Sequence, residues 1–163
     1  MLVGSSAKIL ALVHAETFET GFVPARPFRI NAGPVHSYAL LADGSTKYLS
    51  ELCAGDQVLV VDYEGGGRAV AIGRLKIETR PMIMVEFQGD SGNKGQLFLQ
   101  QAETVRLISP TTSGESDAGA WGEVGRWRPL SVTDIEGGEA LLLREASRGT
   151  HVGKAIDAVV TES

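Results

Sequence analysis

His14-Ala15-Glu16 sets an imidazole and a carboxylate two residues apart. On an extended strand that spacing puts both side chains on one face. Such a pair can serve an acid/base step beside a reacting carbon. With His36 as a third donor, the same residues can hold a divalent cation. Without a ligand nearby, H-x-E is simply the exposed end of a strand.

A denser polar stretch follows in residues 26–38, Arg-Pro-Phe-Arg-Ile-Asn-Ala-Gly-Pro-Val-His-Ser-Tyr. Arg26 and Arg29 each carry a planar fork that matches a carboxylate or phosphate. Phe28 and Ile30 alternate with them, which turns both arginines to one side of an extended segment. The competing reading is a pair of surface ion pairs among prolines. Asn31 and Gly33 suit a turn with left-handed geometry, and Asn31 is also suited to orient a substrate hydroxyl. His36 and Tyr38 are expected on one strand face. Gln100, Gln101, Glu103 and Arg106 form a second polar cluster, in which Glu103 is either a supporting residue or part of a ladder edge. Backbone amides of residues 1–6 offer a weaker phosphate-binding possibility.

These residues need rigid elements to hold them, and the pattern around them is that of strands. The chain has 163 residues, 20 glycines and few aromatics, a balance that favours turns and short strands over a helical bundle. Residues 9–13 form a continuous apolar run too short for a helix, expected as a strand buried on both faces. Strands are further expected over 35–42, 46–52, 58–62, 69–77, 82–87 and 96–99, with a tight hairpin at Asp43-Gly44. An internal repeat runs through them. Leu49-Ser50-Glu51-Leu52-x-x-Gly55-Asp56-x-Val58-Leu59 aligns with Val132-Thr133-Asp134-Ile135-x-x-Gly138-Glu139-x-Leu141-Leu142 at a constant spacing of 83 residues. Residues 35–41 correspond to 104–109. Self-similarity of this kind points to duplicated β modules, although L-x-x-G-acid is also a common β-turn entry. The expected architecture is therefore mainly β: barrel-like modules at about 35–87 and 104–160 behind an N-terminal strand segment. The domain reading is 1–34 for the strand and anion-site segment and 35–163 for the duplicated region. Residues 111–125 read as a surface insertion, with Trp121 and Trp127 packing it back or closing over a ligand. His151 lies between glycines near the C-terminus.

Composition excludes several classes. A net charge of −5 provides no basic face for nucleic acid and no attraction to anionic lipid. No apolar run reaches the roughly 18 residues of a spanning helix, and residues 1–13 lack the basic start and cleavage site of a signal peptide. The single cysteine, Cys53, rules out an internal disulfide, and a cytoplasmic location fits. Cys53 sits in a turn with no nearby histidine, as an incidental small residue would. P-loop, dinucleotide and nucleophile-elbow motifs are absent.

Long stretches of the chain resemble one known family. Met1-Leu2-Val3-Gly4-Ser5-Ser6, Leu12-Val13-His14-Ala15-Glu16, the whole of segment 26–38, the run from Thr46 through Gly55-Asp56 to Asp62, Gly73-Arg74-Leu75-Lys76-Ile77-Glu78-x-Arg80-Pro81 and Leu99-Gln100-Gln101-Ala102-Glu103-Thr104-Val105-Arg106-Leu107 look like the C-terminal half of 3-dehydroquinate synthase II. The 3-amino-4-hydroxybenzoate synthases share the pattern. The resemblance implies cyclisation of a small anionic amino-keto acid in aromatic or specialised-metabolite biosynthesis, by lyase or oxidoreductase chemistry. It implies a divalent metal (Mn or Mg) for one branch and NAD for the other. Carried onto this chain, His14, Glu16 and His36 are the expected catalytic and metal-binding residues. Arg26, Arg29, Asn31 and Glu103 are the expected substrate-binding residues. Family members carry a further N-terminal half ahead of the position matching Met1. Two expectations follow: a cyclase working as a homo-oligomer, or a non-catalytic β subunit completing the site of a chain that bears the other half.

Overall fold

The computed structural model describes residues 1–19, 24–62, 65–111 and 127–146, with the backbone of 149–151 and 154–156. The expected insertion is therefore outside the described residues apart from Thr111, as are Trp121 and the side chain of His151.

The architecture is mainly β, and its only helical piece among the described residues is a single 3-10 turn at Leu49–Glu51. The central element is a five-stranded antiparallel sheet. It contains β1 (Leu2–Ser6), β2 (Ile9–Leu12), β3 (Tyr38–Leu40), β4 (Thr46–Tyr48) and β11 (Leu143–Glu145), in the order β11-β2-β1-β3-β4. Four two-stranded ribbons complete the described strands: β5 (Gln57–Val61) with β6 (Gly67–Ala71), β7 (Met82–Gln88) with β8 (Lys94–Gln100), β9 (Arg106–Pro110) with β10 (Trp127–Ser131), and β12 (Gly149–His151) with β13 (Lys154–Ile156). Among the described residues no sheet closes into a barrel, which corrects the barrel-like expectation while leaving the mainly-β class intact.

Strand β2 is the apolar run read from sequence, and all four of its residues are buried. Its hairpin partner β1 was not legible as a strand, because Gly4, Ser5 and Ser6 carry no β signal. Packing explains the glycine. A Cβ on Gly4 would come within 2.6 Å of the Ile9 carbonyl oxygen, so only glycine admits this close approach. Pairing with β2 and β3 also occupies the strand backbone that was offered above as a phosphate cradle. The core gathers Val3, Ala11, Val13, Ala39, Leu97, Leu99, Val105 and Leu107 around this hairpin. Strands from 1–34 and from 35–163 thus share one sheet.

The two copies of the repeat carry the same local geometry. Gly55 and Gly138 both sit at φ 96°, a left-handed conformation that favours glycine. The acid after each glycine pairs with a base from the second strand of its copy: Asp56 with Lys47 at 3.0 Å and Glu139 with Arg128 at 3.5 Å. The N-terminal hairpin gives one strand to each copy. Val3 of β1 lies opposite Ala39 of β3, and Val13 just after β2 bridges Leu107 of β9.

Three expected strands are shortened, and the one expected over 46–52 ends at Tyr48, where the 3-10 turn begins. Residues 34–37 form a turn, closed by the Ser37 amide donating to the Pro34 carbonyl, so β3 begins only at Tyr38. His36 lies in that turn and not on a strand face with Tyr38. The strand expected over 69–77 ends at Ala71.

Candidate functional site

The sheet delivers the chain into the polar cluster at the end of β2. After Val13, the His14 amide donates to the Arg106 carbonyl at 2.9 Å and the Glu16 amide to the Arg29 carbonyl at 2.9 Å. Glu16 also bridges Arg26 as an antiparallel pair. The backbone thus stays extended past His14, and segment 26–29 folds back on it. A turn with the Arg29 amide on the Arg26 carbonyl holds both arginines toward Glu16, leaving Phe28 94% exposed at its tip.

Glu16 is buried and its carboxylate is held by both arginines. Arg29 Nε lies 3.3 Å from one carboxylate oxygen and Arg26 Nη1 4.0 Å from the other. The arginine side chains remain 42–43% exposed. Each has turned part of its fork to Glu16 and keeps further N–H groups at the surface, where an anion can reach them. Both arginines reach one carboxylate through the turn at 26–29 and not from one side of an extended segment, where residues three apart would face opposite ways. Their first partner is an internal carboxylate.

His14 lies behind this pair. Its ring stacks on Phe18 at 5.1 Å with an 11° interplanar angle, and its Nε2 is 3.5 Å from the Thr17 hydroxyl. Burial, reinforced by the positive charges of Arg106 and of the N-terminal amine, lowers its pKa to about 4. The imidazole is therefore neutral at pH 7. Arg106 is only 4% exposed. Burial pulls its pKa down, opposed by the negative charges of Glu103, Asp134 and Glu16. Glu103 itself is exposed, so it acts on the cluster through its charge on Arg106. Sequence reading had placed Arg106 in a polar cluster without assigning it a role. The repeat could have found it, because Arg106 precedes Leu107 as Tyr38 precedes Ala39, at the entrance of a buried strand.

A second group lies along β8. Asn31 Nδ2 donates to Gln100 Oε1 at 2.6 Å. Gly33, at φ 109°, is pressed against the Phe98 carbonyl, 2.7 Å from where a Cβ would stand. His36 is exposed and meets Phe98 edge-on at 6.1 Å. Asn31 and His36 are thus positioned by β8, while His14, Glu16, Arg26 and Arg29 are positioned by the end of β2.

The three expected metal donors do not converge. Among the described residues, no group of three or more His, Cys, Asp or Glu side chains is arranged to hold a metal ion. Glu16 is committed to the arginines, His14 to Phe18 and Thr17, and His36 to Phe98. A dinucleotide cradle built on a helix N-terminus is equally a poor fit, since the described residues offer only the three-residue 3-10 turn. A cavity of about 780 Å³ lies elsewhere, lined by β7 and residues 132–145, and shares no residue with the polar cluster. No helix among the described residues is long and apolar enough to cross a membrane.

The described residues form a mainly-β domain with a buried carboxylate between two half-exposed arginines. Over residues 1–163 it matches the model of the 3-dehydroquinate synthase II C-terminal domain, and the chain belongs to that family. Among similar proteins, the 3-dehydroquinate synthase of Methanoregula boonei is 42% identical over 162 residues, covering 99% of this chain and 45% of the relative. That of Methanocaldococcus jannaschii is 43% identical, with 99% and 40% covered. That of Halobacterium salinarum is 44% identical, with 99% and 38% covered. The chain thus spans less than half the length of these relatives. No solved structure gives a significant match.

Proposed function

We propose that this chain is the substrate-holding part of a 3-dehydroquinate synthase II-type cyclase acting on a small anionic amino-keto acid in aromatic or specialised-metabolite biosynthesis. The observation that carries the reading is the Glu16–Arg29–Arg26 arrangement beside a neutral His14. Two guanidinium groups fixed by a buried carboxylate are already ordered before a ligand arrives, which lowers the entropic cost of gripping a carboxylate or phosphate. Asn31, fixed by Gln100, orients a hydroxyl, and Glu103 tunes Arg106. The low pKa makes His14 a weak base at neutral pH. Its fitting role is that of a neutral imidazole hydrogen-bonding a substrate carbonyl, where a developing negative charge is stabilised without prior protonation. His36 approaches the substrate from the β8 side. A divalent cation bound here would draw at least part of its ligand set from outside the described residues.

The test is turnover of an anionic C7 amino-keto acid by the purified chain, alone and mixed with the N-terminal portion of the Methanocaldococcus jannaschii relative. His14→Ala and Glu16→Ala are expected to lower turnover by about 100-fold or more, with circular dichroism showing the fold retained. Unchanged turnover in both variants would overturn the reading.

A second reading is favoured by the failure of His14, Glu16 and His36 to converge: a non-catalytic subunit completing a site on another chain. It requires activity only in the mixture, with the same residues altering KM and leaving kcat unchanged.

A further inference from the structure

The motif Gly73-Arg74-Leu75-Lys76-Ile77-Glu78-Thr79-Arg80-Pro81 is absorbed by none of the chemistry above. It is an extended arm between β6 and β7. Its ends are fastened, the Ile72 amide to the Asp56 carbonyl and the Pro81 carbonyl to the Gln101 amide. Between them, residues 73–80 are all exposed, and no backbone hydrogen bond of theirs is present among the described residues. The side chains nevertheless hold strand order. Lys76 Nζ and Arg80 Nη2 both pair with Glu78 Oε1, at 2.8 and 3.2 Å, which places residues 76, 78 and 80 on one face, as in an extended strand. Leu75 and Ile77 take the opposite face, 44% and 75% exposed.

An eight-residue row of unpaired amides and carbonyls is a template for strand addition. Edges guarded against pairing carry charged side chains, lysine above all, inward-pointing charges or proline. This arm has charges of both signs on one face, an intact apolar stripe on the other, and its proline only at the end.

We infer that the arm pairs with the same arm of a second copy, antiparallel and centred on Lys76, to form a two-fold symmetric dimer. The argument is complementarity. In that register Leu75 lies opposite Ile77 of the other copy twice over, and Arg74 opposite Glu78 twice over. Only the central Lys76 pair brings like charges together. A two-fold interface requires such a self-complementary strip, and opposite-charge and apolar cross-strand pairs stabilise antiparallel ribbons. A ribbon of this length is small for a stable interface, so the dimer should be weak and concentration-dependent.

Cysteine scanning reads the register directly. In a Cys53→Ser background, which removes the free exposed thiol, single cysteines are placed at positions 74 to 80 and oxidised gently. Only the residue on the two-fold axis faces its own copy at disulfide distance. Lys76→Cys is expected to cross-link about tenfold more than Arg74→Cys or Glu78→Cys. Sedimentation of the intact chain should show a dimer that Glu78→Arg dissociates and that Arg74→Glu with Glu78→Arg restores. A monomer at every concentration, uniform cross-linking along the arm, or a maximum at any other position would overturn the inference. The last of these outcomes points to a different register between copies, and the first to a strand from a different protein.

Discussion

The two copies of the repeat share a scaffold and differ in what they bury at the strand entrance. In the first copy Tyr38 opens β3 opposite Gly4 of β1. In the second, Arg106 opens β9 and its carbonyl receives the His14 amide. Tyr38 and Ala39 stand 68 residues before Arg106 and Leu107, 15 fewer than the 83 of the turn motif, which is the length of the insertion 111–125 that falls between strand and turn in the second copy. Tyr38 meets Tyr48 ring to ring at 4.4 Å with a 2.6 Å hydrogen bond between hydroxyls. Arg106 is buried among His14, Glu16, Glu103 and Asp134. One copy closes its entrance with aromatic packing, and the other opens it to charge. The same turn-and-strand frame occurs twice in the chain, and only one occurrence carries the polar cluster.

That contrast can be broken most strongly with pH. The folded pKa of His14 is about 4 against an ordinary 6.5, so the unfolded chain takes up the proton first as pH falls. The His14 contribution is complete above pH 6.5 and is lost toward pH 4, by up to about 3 kcal/mol. The N-terminal amine of Met1, lowered by burial from 8.0 to about 5, adds a decline of the same sign that begins near pH 8. Denaturant titrations should show the decline, and His14→Gln should remove the part of it between pH 6.5 and 4. Tyr38 behaves in the opposite sense. Its desolvation, the hydrogen bond its neutral hydroxyl shares with Tyr48 and the nearby negative charge raise its pKa to about 12. Its contribution is complete below pH 10 and lost between 10 and 12, so Tyr38→Phe should flatten the alkaline side and leave the acid side unchanged.

Glu16→Gln comes next. It leaves Arg26 and Arg29 facing a neutral amide, and because both are half-exposed the loss is smaller than for a fully buried pair. About 2 kcal/mol is expected, a drop of roughly 6 °C in Tm by thermal denaturation. No change in Tm would show that the cluster is held by its backbone bonds alone.

The shared frame is tested by Gly55→Ala and Gly138→Ala. Each forces a Cβ into left-handed backbone and should cost about 1–2 kcal/mol. Similar losses at the two sites support equivalent turns, and a loss at only one would separate the copies. Lys47→Ala and Arg128→Ala probe the paired acids. Both pairs are partly exposed, so each variant should lose only about 0.2–1 kcal/mol.

Much of the frame was legible because it depends on local chemistry. The apolar run that became β2, the Asp43-Gly44 turn and the L-x-x-G-acid repeat all specify backbone shape through nearby residues. Strand β1 was hidden, since a Gly-Ser-Ser strand is chosen by close packing on Ile9 and Leu10. His36 was placed on a strand that the Pro34 turn delays. The unpaired arm at 73–80 has strand periodicity, and periodicity cannot say whether a neighbour exists.

For the site, the sequence by itself determined which groups are available: His14, Glu16, Arg26, Arg29, Asn31, His36 and Glu103. Tertiary structure decided their partners. It spent Glu16 on the two arginines, neutralised His14 by burial, drew Arg106 into the cluster from residues 90 positions beyond Glu16, and set His36 against Phe98. The reason is physical. Side-chain type fixes what a group can donate, accept or carry, whereas its charge state and its partner depend on burial and distance, which are set only when remote strands pack together.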